Sequence, residues 1–188
     1  MQRVFLVLGP SGVGKSYLSE LLEREWALFY WRIYNFEENG FPSAWDGHGE
    51  QVDVATLMAA VYARCAAQGA AGAVVLIAPE DVLEPRQLIE ARHLGATPVV
   101  LWGTRDQCVQ ARKERSKKKR KRFNEKDMPR YWKNNSAAFE AYCRPEYSDF
   151  RVEAFRPDGS RWLDEECVER VRKHELANKR IRQTAESK

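Results

Sequence analysis

Eight residues near the start of the chain, three of them glycines, constrain its fold more than any other feature. Residues 9–16 read Gly-Pro-Ser-Gly-Val-Gly-Lys-Ser. An apolar run of strand length, residues 4–8, precedes them. Residues 17–26 follow with helical periodicity, with three leucines and Trp26 on one face. The stretch is therefore predicted to form a strand, a glycine loop and a helix.

The residue types in this loop suit an anion. Gly9, Gly12 and Gly14 permit positive φ and let backbone amides approach an anion without a Cβ in the way. The loop begins a helix, whose unpaired N–H groups and dipole favour negative charge. The spelling G-x-x-x-x-G-K-S between a strand and a helix resembles the phosphate-binding loop of the P-loop nucleoside triphosphatases.

This resemblance implies that the chain binds a nucleoside triphosphate. Lys15 would reach the β and γ phosphates, and the hydroxyl of Ser16 would hold Mg²⁺. ATP and Mg²⁺ are the cofactors that we expect. The expected nucleotide-binding residues are Gly9, Pro10, Ser11, Gly12, Val13, Gly14, Lys15, Ser16 and Tyr17.

The length of 188 residues is enough for one domain with a substantial core. We expect that domain over residues 1–178, followed by a polar, frayed tail over residues 179–188. The longest apolar run, residues 70–79, is too short to span a membrane. The first strand leaves no room for a signal peptide, and the four cysteines are scattered. These features predict a cytoplasmic protein with reduced cysteines.

Strand-like and helix-like segments alternate along the chain. Strands are predicted over residues 4–8, 28–34, 73–77, 98–102 and 150–155, and helices over 17–26, 52–68, from 85 to a stop at Gly95, from 104 into a basic run, over 129–142 and over 164–178. Such alternation predicts an α/β fold with a parallel sheet between two layers of helices. The expected architecture is the P-loop three-layer α/β/α sandwich with five mainly parallel strands.

A basic run follows the fourth strand and its helix. Nine of the eleven residues over 112–122 are lysine or arginine. The position of this run resembles that of the lid in the nucleoside monophosphate, shikimate and gluconate kinases. The resemblance implies a lid over about residues 112–130, with Arg112 and Arg115 contacting ATP or the transferring phosphoryl group. The other interpretation is a solvated basic helix face.

The resemblance to these kinases also implies two carboxylates. One lies past the second strand and positions or deprotonates the acceptor hydroxyl, and the other lies past the third strand and supports Mg²⁺. Glu37, Glu38 and Asp46 compete for the first role, with Glu37 as the expected catalytic residue, and Glu80 and Asp81 compete for the second. Each of them could equally be a solvated loop acid or a helix cap.

Three functions fit these observations. The first is a kinase that transfers the γ-phosphoryl group of ATP to a small molecule or a nucleotide. The second is a polynucleotide-end kinase or nucleic-acid binder, in which the run over 112–122 neutralises phosphates and Tyr131 and Trp132 stack on bases. The third is a non-enzymatic regulatory module that binds a nucleoside triphosphate.

Overall fold

The core of the fold is a parallel sheet in which the strand preceding the glycine loop is central. The computed structural model describes residues 2–32, 53–79, 82–118, 126 and 128–186. Its strands are β1 (Arg3–Leu8), β2 (Phe29–Arg32), β3 (Gly72–Leu76), β4 (Ala96–Trp102) and β5 (Arg151–Glu153). They lie in the order β2-β3-β1-β4-β5, and all four pairings are parallel. The predicted five-stranded sheet is confirmed.

Helices follow the strands in the predicted order. They are α1 (Lys15–Trp26), α2 (Val54–Ala67), α3 (Pro85–His93), α4 (Arg105–Lys118), α5 (Met128–Tyr142) and α6 (Asp164–Glu186), with a short 3-10 helix over Pro145–Phe150. The predicted element ends agree with these bounds to within two residues wherever the structure describes them, apart from the end of α6.

Two hydrophobic cores lie on opposite faces of the sheet. Because side chains alternate along a strand, β1 contributes to both cores. Val4, Leu6 and Leu8 pack with residues of α2 and α3, whereas Phe5 and Val7 pack with residues of α1 and α6. The sheet is therefore covered on both faces, and the predicted three-layer α/β/α sandwich is confirmed.

The fourth strand begins earlier than predicted. Its predicted start is Pro98. The structure starts β4 at Ala96. On the side away from β1, β5 pairs only with the last three residues of β4. His174 of α6 instead contacts the carbonyl oxygen of Pro98, so this part of β4 is covered by a side chain.

The expected frayed tail is also wrong over most of its length, since α6 continues to Glu186. Its polar composition suggested fraying, but the segment after Asn178 contains neither glycine nor proline and is rich in helix-forming residues. Lys179 also pairs with Glu175 at 2.8 Å, one turn earlier. Neither α6 nor any other described helix is both long and apolar enough to cross a membrane.

The partly buried position of His174 predicts a pH-dependent stability. The His174 Nε2–H donates to the Pro98 oxygen at 2.7 Å, and burial, with a smaller effect of Arg92, lowers the pKa of His174 below its ordinary value of 6.5. At about pH 6, His174 is therefore more protonated in the unfolded chain than in the folded chain. The free energy of unfolding should fall as the pH is lowered from about 7.5 to about 5.5.

Urea unfolding across this pH range measures the effect. The variant His174→Gln keeps an N–H donor but does not titrate, so its stability should vary less with pH than that of the wild type. Parallel stability curves for the two proteins would contradict the assignment.

Candidate active site

The glycine loop lies between the end of β1 and the start of α1, with the predicted positive φ values. The φ angles of Gly9, Gly12 and Gly14 are 131°, 90° and 112°. A Cβ on Gly12 would lie 2.6 Å from the carbonyl oxygen of Cys108, and one on Gly14 would lie 2.4 Å from Nη1 of Arg161. The loop is therefore packed so closely that side chains at these two positions would not fit without a shift.

Lys15 lies inside the loop. Its side-chain ammonium donates to the carbonyl oxygens of Gly9 at 2.5 Å and Pro10 at 3.2 Å, and the residue is only 4% exposed. The carbonyl of Gly14 accepts from the amide of Leu18, as the first hydrogen bond of α1. The lysine ammonium is thus held within the loop, where an anion bound by the loop would meet it.

Arg161 contacts the loop from the segment between β5 and α6. Its Nη2 donates to the carbonyl oxygen of Gly12 at 2.9 Å, and its Nη1 donates to that of Val13 at 3.1 Å. The guanidinium also lies 4.8 Å from the centre of the Phe155 ring. Burial lowers the pKa of Arg161, but arginine stays charged at any ordinary pH.

Two side chains of α5 form hydrogen bonds with the backbone of Ser11 in the loop. Asn135 accepts the amide of Ser11 through Oδ1 at 2.5 Å, and the Tyr131 hydroxyl donates to the Ser11 carbonyl at 2.8 Å. Asn135 also donates to the Tyr131 carbonyl at 2.7 Å. Both side chains are buried, at 2% and 5% exposure. Helix α5 is therefore attached to the loop at Ser11.

Every carbonyl from Gly9 to Gly14 thus accepts a hydrogen bond from elsewhere in the protein. The donors are Lys15, Tyr131, Arg161 and the amide of Leu18. Since a peptide's C=O and N–H point in opposite directions, the donors at the Ser11, Gly12 and Val13 carbonyls favour Gly12, Val13 and Gly14 amides that face away from Tyr131 and Arg161. Together with the helix N-terminus at Lys15, such amides form an anion-binding concavity. The residues present therefore fit a bound phosphate chain.

The structure brings one of the two predicted lid arginines to the loop. The guanidinium of Arg112 lies 4.7 Å from the centre of the Tyr131 ring, and its Cγ would lie 3.2 Å from a Cβ on Gly12. Arg115 is exposed, one turn further along α4. Arg112 is therefore the predicted arginine that packs beside the loop.

Tyr17 lies at the rim of the loop. It is exposed, and its hydroxyl donates to the carboxylate of Asp164 in α6, which raises the pKa of Tyr17 to about 12. With Arg161 and Trp162, it lines a small cavity of about 20 Å³ beside the loop. Such a cavity has room for about one water molecule. A role for Tyr17 in nucleotide binding stays a prediction.

The predicted carboxylates lie outside the described residues, and so does the end of the basic run. These residues are Glu37, Glu38, Asp46, Glu80, Asp81 and the segment 119–122. Within the described part of the chain, no group of three His, Cys, Asp or Glu side chains could hold a metal ion. Ser16 lies in the first turn of α1, next to Lys15, and its role at Mg²⁺ stays a prediction.

One expectation for the site is wrong and two residues were missed. Tyr131 cannot stack on a nucleic-acid base, because it is buried with Arg112 over its ring and its hydroxyl on Ser11. The two residues that the sequence analysis did not select are Asn135 and Arg161. A usable signal for Arg161 does exist: it follows the carboxyl end of a parallel strand, on the same edge of the sheet as the glycine loop.

Comparisons with known proteins support the fold. No protein-family model matches the chain, and no curated protein matches it. Among solved structures, a gluconokinase from Sinorhizobium meliloti is 13% identical, with a TM-score of 0.52, covering 98% of this chain and 95% of that one. A sugar kinase from Janibacter is 17% identical, with a TM-score of 0.49, and the match covers 91% of this chain and 92% of that one. A putative kinase from Chloroflexus aurantiacus is 16% identical, with a TM-score of 0.44, and the match covers 94% of this chain and 97% of that one.

The gluconokinase has the same fold as this chain, and at 13% identity the likeness shows the fold alone. The resemblance to the small P-loop kinases is therefore confirmed at the level of the fold, over nearly the whole chain. The chain's own loop geometry has to carry any statement about activity.

The attachment of α5 to the loop is testable through stability. The variant Asn135→Leu keeps the approximate volume but leaves the Ser11 amide without its acceptor. Burying an unpaired amide should lower the free energy of unfolding by about 1–3 kcal/mol. Denaturant unfolding measures this loss. Ser136→Ala, which removes an exposed hydroxyl on the same helix, should stay within about 0.5 kcal/mol of the wild type. An equal change in both variants would argue against the attachment.

Proposed function

We propose that this protein is an ATP-dependent kinase that transfers the γ-phosphoryl group to a small molecule or a nucleotide. The observation that carries the proposal is the glycine loop, whose carbonyls all accept hydrogen bonds while Lys15 and the first turn of α1 lie at its centre. This arrangement is suited to a triphosphate. The fold shared with a gluconokinase over nearly the whole chain favours a phosphotransferase on a metabolite.

The roles of the residues follow from their positions. The Lys15 ammonium would exchange the carbonyls of Gly9 and Pro10 for phosphate oxygens and stabilise the charge that develops on the transferring group. Ser16 would hold Mg²⁺ by its hydroxyl, and the metal would neutralise phosphate charge. Arg112, beside the loop, is better placed than Arg115 to supply a further positive charge. An acid near Glu37 would orient the acceptor.

A nucleic-acid acceptor is less well supported. Burial of Tyr131 removes one of the two aromatic side chains that the hypothesis required. The other, Trp132, packs against Phe139 and Arg105. The solved structure that shares the fold is named as a gluconokinase, not as a kinase of nucleic acid. A metabolite or nucleotide acceptor is therefore the proposal that we favour.

A transfer assay tests the proposal. The protein is incubated with γ-labelled ATP and Mg²⁺ and with three pools of acceptors: nucleoside monophosphates, hydroxylated metabolites and 5′-hydroxyl oligonucleotides. We expect label in one of the first two pools. Label only in the oligonucleotides would favour the nucleic-acid hypothesis, and label only in free phosphate, or none, would favour a regulatory module.

In this assay Lys15→Met should lower turnover by about a hundredfold or more, because it removes a positive charge already placed at the phosphates. Lys173→Met, on the exposed face of α6, is the matched control and should transfer label at the wild-type rate. Near-normal turnover of a folded Lys15→Met protein would contradict the proposed mechanism.

The two arginines of α4 should differ in the same assay. Arg112→Met should lower kcat by roughly tenfold or more, since a positive charge beside the transferring phosphoryl group is lost. Arg115→Met should have a smaller effect, because Arg115 is exposed one turn away from the loop. Steady-state kinetics of both variants measure the difference. A larger loss in Arg115→Met would assign the charge-stabilising role to that residue instead.

A further inference from the structure

The guanidinium of Arg161 donates hydrogen bonds to backbone carbonyls of the glycine loop. Its two terminal nitrogens bond to the carbonyl oxygens of two successive residues, Gly12 and Val13. The guanidinium also packs against Gly14 so closely that Nη1 lies 2.4 Å from the place of a Cβ there. The contacts join parts of the chain that are almost 150 residues apart in sequence.

These contacts determine where two amides point. A peptide unit is planar and trans, so fixing its carbonyl oxygen also fixes the N–H on its other side. The Gly12 carbonyl shares its peptide with the Val13 amide, and the Val13 carbonyl shares its peptide with the Gly14 amide. The Val13 amide makes only a long bond, 3.4 Å, to the Pro10 oxygen. The Arg161 fork therefore directs two loop amides away from itself, toward the concave side of the loop.

The position of Arg161 is itself fixed. Its backbone forms an antiparallel bridge with Phe155, across a tight turn in which the amide of Arg156 donates to the Ser160 carbonyl at 2.7 Å. Arg156 pairs with Glu166 of α6 and fastens the same turn to that helix. The guanidinium is thus pre-placed, and its planar geometry matches two neighbouring carbonyls in a way that a lysine ammonium cannot.

Arg161 also keeps its charge available to the site. Within the described part of the chain it has no ion pair, and its hydrogen-bond partners are neutral carbonyls. A half-buried guanidinium without an ion pair, directly behind the loop, raises the positive potential that a triphosphate would meet.

We propose that Arg161 is a positioning residue for the triphosphate: it holds the Gly12 and Val13 carbonyls so that the Val13 and Gly14 amides face the phosphates. This inference deepens the proposed function and rests on it. It differs from a role at the nucleoside, because the base and the sugar would not depend on the direction of these amides.

The test compares three ligands that separate phosphate from nucleoside: ATP, inorganic tripolyphosphate and adenosine. Arg161→Met should weaken the binding of ATP and of tripolyphosphate by roughly tenfold or more, as expected for lost charge-assisted hydrogen bonds. Its affinity for adenosine should not change. Arg161→Lys should lose less, because an ammonium can hold one of the two carbonyls. Arg172→Met, which removes an exposed guanidinium from α6 away from the loop, should bind all three ligands like the wild type.

Calorimetric titration gives these affinities, and thermal unfolding first shows that each variant is folded. If Arg161→Met does not fold, the comparison of Arg161→Lys with the wild type decides. Unchanged tripolyphosphate binding, or an equal loss for adenosine, would overturn the inference. A wild-type protein that binds tripolyphosphate but transfers no phosphoryl group would refute the proposed kinase activity and leave the role of Arg161 standing. A wild-type protein that does not bind tripolyphosphate would refute both.

Discussion

The hydrogen bonds that the carbonyls of the glycine loop accept are the interaction on which the candidate site depends. Glycine gives the loop its freedom, but freedom alone does not choose a conformation. The choice is made by donors that come from three directions: Lys15 from within, Tyr131 from α5 and Arg161 from the β5–α6 segment. The bonds to the Ser11, Gly12 and Val13 carbonyls leave the amides of the same peptides pointing to the opposite side, an arrangement suited to negative charge.

This arrangement joins three parts of the chain at one edge of the sheet. The central position of β1 places the loop between β3 and β4, where helices on both faces can reach it. Helix α5 then contacts Ser11, and Arg112 of α4 packs over Tyr131. The helices on either side of the basic run therefore meet at the loop itself. A change in the loop conformation on binding an anion would therefore alter the contacts of both α4 and α5.

Much of the fold was predictable because it depends on local patterns. Apolar runs of strand length and helical periodicity are repeated along the chain, and alternation of the two leaves few architectures open. The failures have equally local causes. Pro98 is the predicted start of β4, but the strand extends two residues earlier, and His174 covers the Pro98 carbonyl. The polar residues after Asn178 predict fraying, but helix propensity and an ion pair to Glu175 extend α6.

The sequence by itself determined a strand, a glycine loop and a helix, and it predicts an anion site there because glycine, lysine and a helix N-terminus lie within a few residues of one another. It does not show that Asn135 and Arg161, which lie more than a hundred residues from the loop, contact it. Only the packing of α5 and of the β5–α6 turn against the loop decided that these side chains complete it. Interactions between neighbouring residues can be predicted from the sequence. The donors that fix the loop come from distant segments, which the order of the strands brings together.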